Sequence, residues 1–161
     1  MIQKLSVSLR LKTGIGEKIM ANNECRKLPV GIQSFNKIRE EGYLYVDKSD
    51  IIWKLANNGK QYNYLSRPRR FGKSVLVDTL QAYFEGRKEL FEGLKIMDLE
   101  KEWKQYPVIR FDMSRGGATA NEVKAYLDRT FDVYEQLYGI HIKPTDSLGN
   151  RFDLIIKTAY E

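Results

Sequence analysis

Apolar side chains recur at helical spacing in three long stretches of this chain. Val75, Leu76, Thr79, Leu80 and Tyr83 predict a helix from about Gly72 to Phe84. Val123, Tyr126, Leu127, Thr130, Phe131, Tyr134, Leu137 and Tyr138 share one broad face, which predicts a helix over 119–138. Thr119 with Glu122 forms its capping box and Gly139 stops it. A third helix is expected from Ser147 onward, with Phe152, Ile155, Ile156 and Ala159 on one side. Two shorter helices are announced by their caps, Ser34 before Phe35 and Ile38, and Asp47 before Ile51, Ile52 and Leu55. Asn57-Asn58-Gly59 ends the second of them. Residues 89–97 read as a short broken helix or turn, and 98–106 as a short charged helix half-burying Trp103. Between these lie β-prone runs: Tyr43–Val46, Gln61–Leu65 and Pro107–Met113, the last opened by a proline at a position that suits a strand's first residue. Residues 1–27 carry little fold information and are expected to be a flexible leader, with Met20 as an alternative start.

One junction of strand and helix carries chemistry. The order across 62–80 is an apolar run, a basic turn, Gly72-Lys73-Ser74 and a helix, the order that a phosphate-binding P-loop (Walker A) requires. The first turn of a helix has backbone N–H groups without intrahelical partners, and the helix dipole adds partial positive charge there. Gly72 lets the backbone come close to phosphate oxygens, Lys73 would reach the terminal phosphates, and the Ser74 hydroxyl would coordinate Mg²⁺. The pattern is incomplete, because the position of the first P-loop glycine holds Arg67. Arg67, Arg69 and Arg70 suit phosphate oxygens, and they equally suit nucleic acid or a solvated loop. The fold expectation is α/β: a P-loop NTPase-like parallel sheet with flanking helices. Only two or three strands are in sight, and a parallel sheet needs several, covered on both faces. The chain is therefore expected to be the N-terminal piece of a longer protein, cut off before the acidic (Walker B) strand.

Composition narrows the partners. The 161 residues carry a net charge of +6, with a pI of about 9.3, which fits an anionic ligand such as a nucleotide or nucleic acid. Cys25 is the only cysteine and His141 the only histidine, which excludes an intrachain disulfide and a cysteine–histidine metal cluster. No apolar run approaches the roughly 20 residues that span a membrane, no signal peptide is evident, and a cytoplasmic location is expected. Asp112 ends the run PVIRFD and has two readings, a Mg²⁺-organising acid or a capping acid at a strand end.

The stretches LPVGIQSFNKIREEGYLYVDKSDIIWKL, YNYLSRPRRFGKSVLVDTLQAYFEG, LFEGLKI and YPVIRFDMS resemble one family. It is the AAA-ATPase-like family of bacterial and archaeal proteins, whose members often carry a C-terminal PD-(D/E)XK nuclease-like domain. The resemblance covers roughly Leu28 to Glu161, and SRPRRFGKS is its most specific block. It implies an additional-strand P-loop fold that binds ATP with Mg²⁺. Gly72, Lys73 and Ser74 are implied as phosphate and Mg²⁺ contacts, and Pro68 to Phe71 as the loop itself. The site expected from sequence is thus Arg67, Pro68, Arg69, Arg70, Phe71, Gly72, Lys73, Ser74 and Val75, with Ser74 on the metal. In that family the Walker B acid comes later than PVIRFDM, so Asp112 is not that acid and hydrolysis needs a segment beyond Glu161. Two other functions compete with nucleotide binding: a basic nucleic-acid-binding module, and an inactive truncated remnant.

Overall fold

The computed structural model describes residues 26–68, 70–141 and 146–160. The leader expected over 1–27 falls almost entirely outside them. Six α-helices follow one another: α1 (Phe35–Glu40), α2 (Ser49–Ala56), α3 (Lys73–Phe84), α4 (Ile96–Leu99), α5 (Ala120–Leu137) and α6 (Leu148–Tyr160). Single 3-10 turns lie at Lys88–Phe91 and Met113–Arg115. No helix among the described residues is long and apolar enough to cross a membrane.

The expected parallel sheet is not there: among the described residues no strand forms. Each β-prone run finds something other than a neighbouring strand. Residues 61–68 form no regular element and are exposed along their length, with Tyr62 and Tyr64 turned to solvent. The run beginning at Pro107 lies between α3 and α5 and spends its polar groups on side chains. The Arg110 and Asp112 amides donate to the hydroxyls of Tyr134 and Tyr126, both at 2.7 Å. Just before it, the Tyr106 amide donates to the Phe84 carbonyl at the end of α3. Backbone groups satisfied in this way leave no ladder to build. The helix expected over 98–106 is also absent. α4 ends at Leu99, and the Glu100 carboxylate takes the amides of Lys101 and Glu102, folding the chain into a turn that leaves Trp103 at φ 47°.

Two apolar clusters hold the helices. Phe35, Ile52, Ala82, Tyr83, Phe91 and Ile96 form the larger, shared by α1 to α4 and the first 3-10 turn. In the smaller, Phe111 packs edge-on against Phe131 and Phe152, whose rings stack at 5.7 Å, while Ile155 is fully buried. Of the aromatic stripe of α5, Phe131 is core, while Tyr126, Tyr134 and Tyr138 are half-buried. Asp78, in the second turn of α3, ties the parts together: its carboxylate accepts from the Phe35 amide at the start of α1 and from the Arg110 guanidinium. A similar latch joins α2 to α4, where Asp47 accepts from the Ser49 and Lys95 amides and the Ser49 hydroxyl oxygen accepts from Ile96.

Candidate functional site

α3 begins as the sequence predicts. Gly72 is its N-cap, left-handed at φ 72° and ψ 22°, and the first intrahelical bond runs from the Leu76 amide to the Gly72 carbonyl. No side chain caps this end and no acid lies in its first turn. The orphan amides of Lys73, Ser74 and Val75 therefore open toward whatever anion comes to them. The Lys73 ammonium donates to the Arg67 carbonyl at 2.7 Å. That bond ties the Lys73 side chain back to residue 67 and holds the charge beside the helix end. Arg70 sits within the turn at φ 67°, a conformation that costs a non-glycine residue on the order of 1 kcal/mol.

This end of α3 forms one wall of a cleft of about 1000 Å³. Arg70, Gly72, Lys73, Ser74 and Val75 line that wall, so the structure brings together five of the nine residues expected from sequence. Arg67 contributes its carbonyl to Lys73, Pro68 and Phe71 are exposed beside the turn, and Arg69 lies outside the described residues. The facing wall is the loop Pro29 to Gln33, which the sequence reading did not connect with the site. Its turn is set by bonds from Val30 to the Leu28 carbonyl and from Ile32 to the Pro29 carbonyl. Ser34 then caps α1 by accepting from Lys37, and Asp78 anchors that cap region to α3 through Phe35. The only local signal for the loop was a Pro-Val-Gly turn just before an N-cap. Its approach to a helix 40 residues later is a tertiary fact.

The wall's donors, one ammonium, one hydroxyl, a guanidinium and uncapped amides, suit phosphate oxygens. Among the described residues no carboxylate lines the cleft, and no group of three or more His, Cys, Asp or Glu could hold a metal. Asp112 takes its capping role: it accepts from the Ser114 amide and hydroxyl and pairs with Arg115 at 3.2 Å. The Ser114 hydroxyl holds its carboxyl below the usual aspartate range.

Comparison with known proteins gives two matches. The model of a family described as "Predicted AAA-ATPase" fits residues 29–161. A curated relative from Azotobacter chroococcum mcd 1, called an uncharacterized protein in the vnfD 5' region, is 38% identical over 137 residues, which is 84% of this chain and 26% of the relative. The chain thus spans about a quarter of the length of the curated relative it matches. No solved structure matches it.

Proposed function

This chain belongs to the AAA-ATPase-like family of predicted AAA-ATPases, and from that premise we propose that it binds ATP with Mg²⁺ in the cleft between α3 and the loop Pro29 to Gln33. The observation that carries this reading is the uncapped end of α3, where Lys73 and Ser74 line a cleft beside the left-handed Gly72. The amides of Lys73, Ser74 and Val75 in the first turn of α3 would hold the triphosphate oxygens. The Lys73 ammonium, now on the Arg67 carbonyl, would hold a terminal phosphate oxygen, a charged acceptor in place of a neutral one. The Ser74 hydroxyl would be a ligand to Mg²⁺. Arg70 supplies a second cation, and Val30 and Ile32 give the opposite wall apolar surface for the nucleoside. With no carboxylate among the described residues of the cleft, these residues bind and orient. Activation of water for hydrolysis is assigned to the longer protein of which this chain would be a part.

The test is the affinity for a fluorescent ATP analogue in the presence of Mg²⁺. Lys73→Ala removes a charge-assisted bond worth about 1.5–3 kcal/mol, so its Kd is expected to rise roughly 10- to 100-fold. Equal, measurable affinity in the two proteins would defeat the assignment.

A further inference from the structure

A second concave surface, of about 620 Å³, opens between residues 110–115 and α5. Three arginines reach it from three separate places: Arg110 from the extended run, Arg115 from the 3-10 turn and Arg129 from α5. Their charges are unevenly matched. Arg110 is held by Asp78 and Gln81, and Arg115 by Asp112 at 3.2 Å. Arg129 takes no ion pair among the described residues. The acids nearest it in sequence are engaged elsewhere: Asp128 and Asp132, with Glu135, bind Arg151 on the side of α5 that meets α6. Helical periodicity thus gives α5 an acidic flank, whose three carboxylates share the one guanidinium of Arg151, and a flank carrying Tyr126, Arg129 and Val133 toward the cavity.

The rest of the lining is Tyr126, Tyr134 and Val133 with the polar Gln81 and Thr130, and the Asp112 carboxylate, which is occupied by Ser114 and Arg115. Tyr126 and Tyr134 accept amide N–H groups through their hydroxyl oxygens. Tyr134 donates its own proton to the Arg110 carbonyl at 3.3 Å, whereas the Tyr126 hydroxyl proton has no acceptor among the described residues. Val133 is 63% exposed. An unneutralised guanidinium, spare N–H groups on two further arginines and a free phenol O–H make a donor set for phosphate oxygens. Phenol rings and a bare valine beside it offer a surface on which a base can lie. A free inorganic anion would use only the first half of this lining. A nucleotide unit uses both, in the combination of cationic groove and aromatic platform that single strands favour. We infer that the cavity between residues 110–115 and α5 binds the phosphate and base of a single-stranded nucleic acid, at a site separate from the Lys73 cleft.

The full chain can be titrated against a labelled oligo-dT by fluorescence anisotropy at several salt concentrations. Arg129 is exposed and unpaired, so Arg129→Gln is expected to leave the circular dichroism and thermal midpoint unchanged. It should weaken oligo-dT binding about 5- to 10-fold and lower the slope of log K against log salt by about 0.7, the share of one phosphate contact on a single strand. Adding Arg115→Gln should lower both again, and Val133→Asp should weaken binding with the thermal midpoint kept. Lys73→Ala should bind oligo-dT as the parent does. Parent-like affinity and salt slope in the Arg115→Gln/Arg129→Gln protein would overturn the proposal. So would Arg129-dependent binding of inorganic phosphate or of poly-glutamate without any of oligo-dT.

Discussion

Arg70 and Gly72 sit one residue apart at φ 67° and 72°, and they answer to the same constraint differently. Glycine adopts the left-handed conformation freely, and a Cβ at Gly72 would meet no atom within 4 Å. Gly72→Ala therefore pays only for its backbone conformation, and its unfolding free energy in urea is expected to fall by about 1 kcal/mol. Arg70→Gly should move the opposite way, gaining up to about 1 kcal/mol of stability while weakening nucleotide binding through the lost cation. The two measurements together separate strain from ligand contact. At this scale much of the site was legible, because Gly-Lys-Ser ahead of an amphipathic stretch marks a helix end from local chemistry alone. The strain at Arg70 and the bond from Lys73 to the Arg67 carbonyl were not legible, since they depend on the path of the turn rather than on residue type.

At the scale of elements, helix ends with their own capping chemistry were readable, except that α2 has Lys48 as its N-cap in place of the expected Asp47, whose carboxylate takes the Ser49 and Lys95 amides instead. Ser34 caps α1, and Thr119 and Glu122 make the reciprocal box expected at the start of α5. Strands have no such local guarantee, because a β-prone run is stabilised by the neighbour it pairs with. Residues 61–65 and 107–113 had the composition of strands and lacked the partners. Arg110, which interrupts the second run in sequence, proves to be its anchor on α3 through Asp78 and Gln81. The apolar faces of α5 and α6 were legible, but their pairing and its polar clasp were not. Arg151 binds Glu135 at 2.7 Å, reaches Asp128 and Asp132, and lies over the Phe131 ring. Glu135 is only 7% exposed. Arg151→Met leaves that carboxylate buried without its partner and is expected to cost about 3 kcal/mol in chemical denaturation. A second substitution, Glu135→Leu, should recover a good part of the loss by removing the stranded charge. Failure of the double substitution to recover anything would mean that the clasp acts through packing alone.

Across the whole molecule, the same logic sets how stability varies with pH. Tyr83 of α3, a member of the larger apolar cluster, donates its hydroxyl proton to the half-buried Glu100 carboxylate just beyond α4. Burial, with the neighbouring Glu100 charge and hydrogen bond, pushes Tyr83 up from 10.0 to about 12. The bond from Tyr83 holds Glu100 below the ordinary glutamate value of 4.5. A raised tyrosine contributes stability that is complete below pH 10 and is lost as the pH climbs through about 12. A depressed glutamate contributes stability that is complete above 4.5 and is lost as the pH falls through its folded value. Asp47 adds to the acid edge. Burial raises its carboxyl, but the bonds from Ser49 and Lys95 outweigh burial and leave it below 3.8. Tyr83→Phe removes the donor and keeps the ring. Its cost at neutral pH is expected to be about 1.5–3 kcal/mol, the worth of a hydrogen bond to a charged group. The difference between parent and variant should shrink toward both extremes, below the folded Glu100 value and above pH 12, since in each region the parent has lost the same bond. Urea unfolding of the two proteins at pH 3, 7 and 12 checks this. A pH-independent difference would mean that the hydroxyl stabilises the fold without coupling to Glu100.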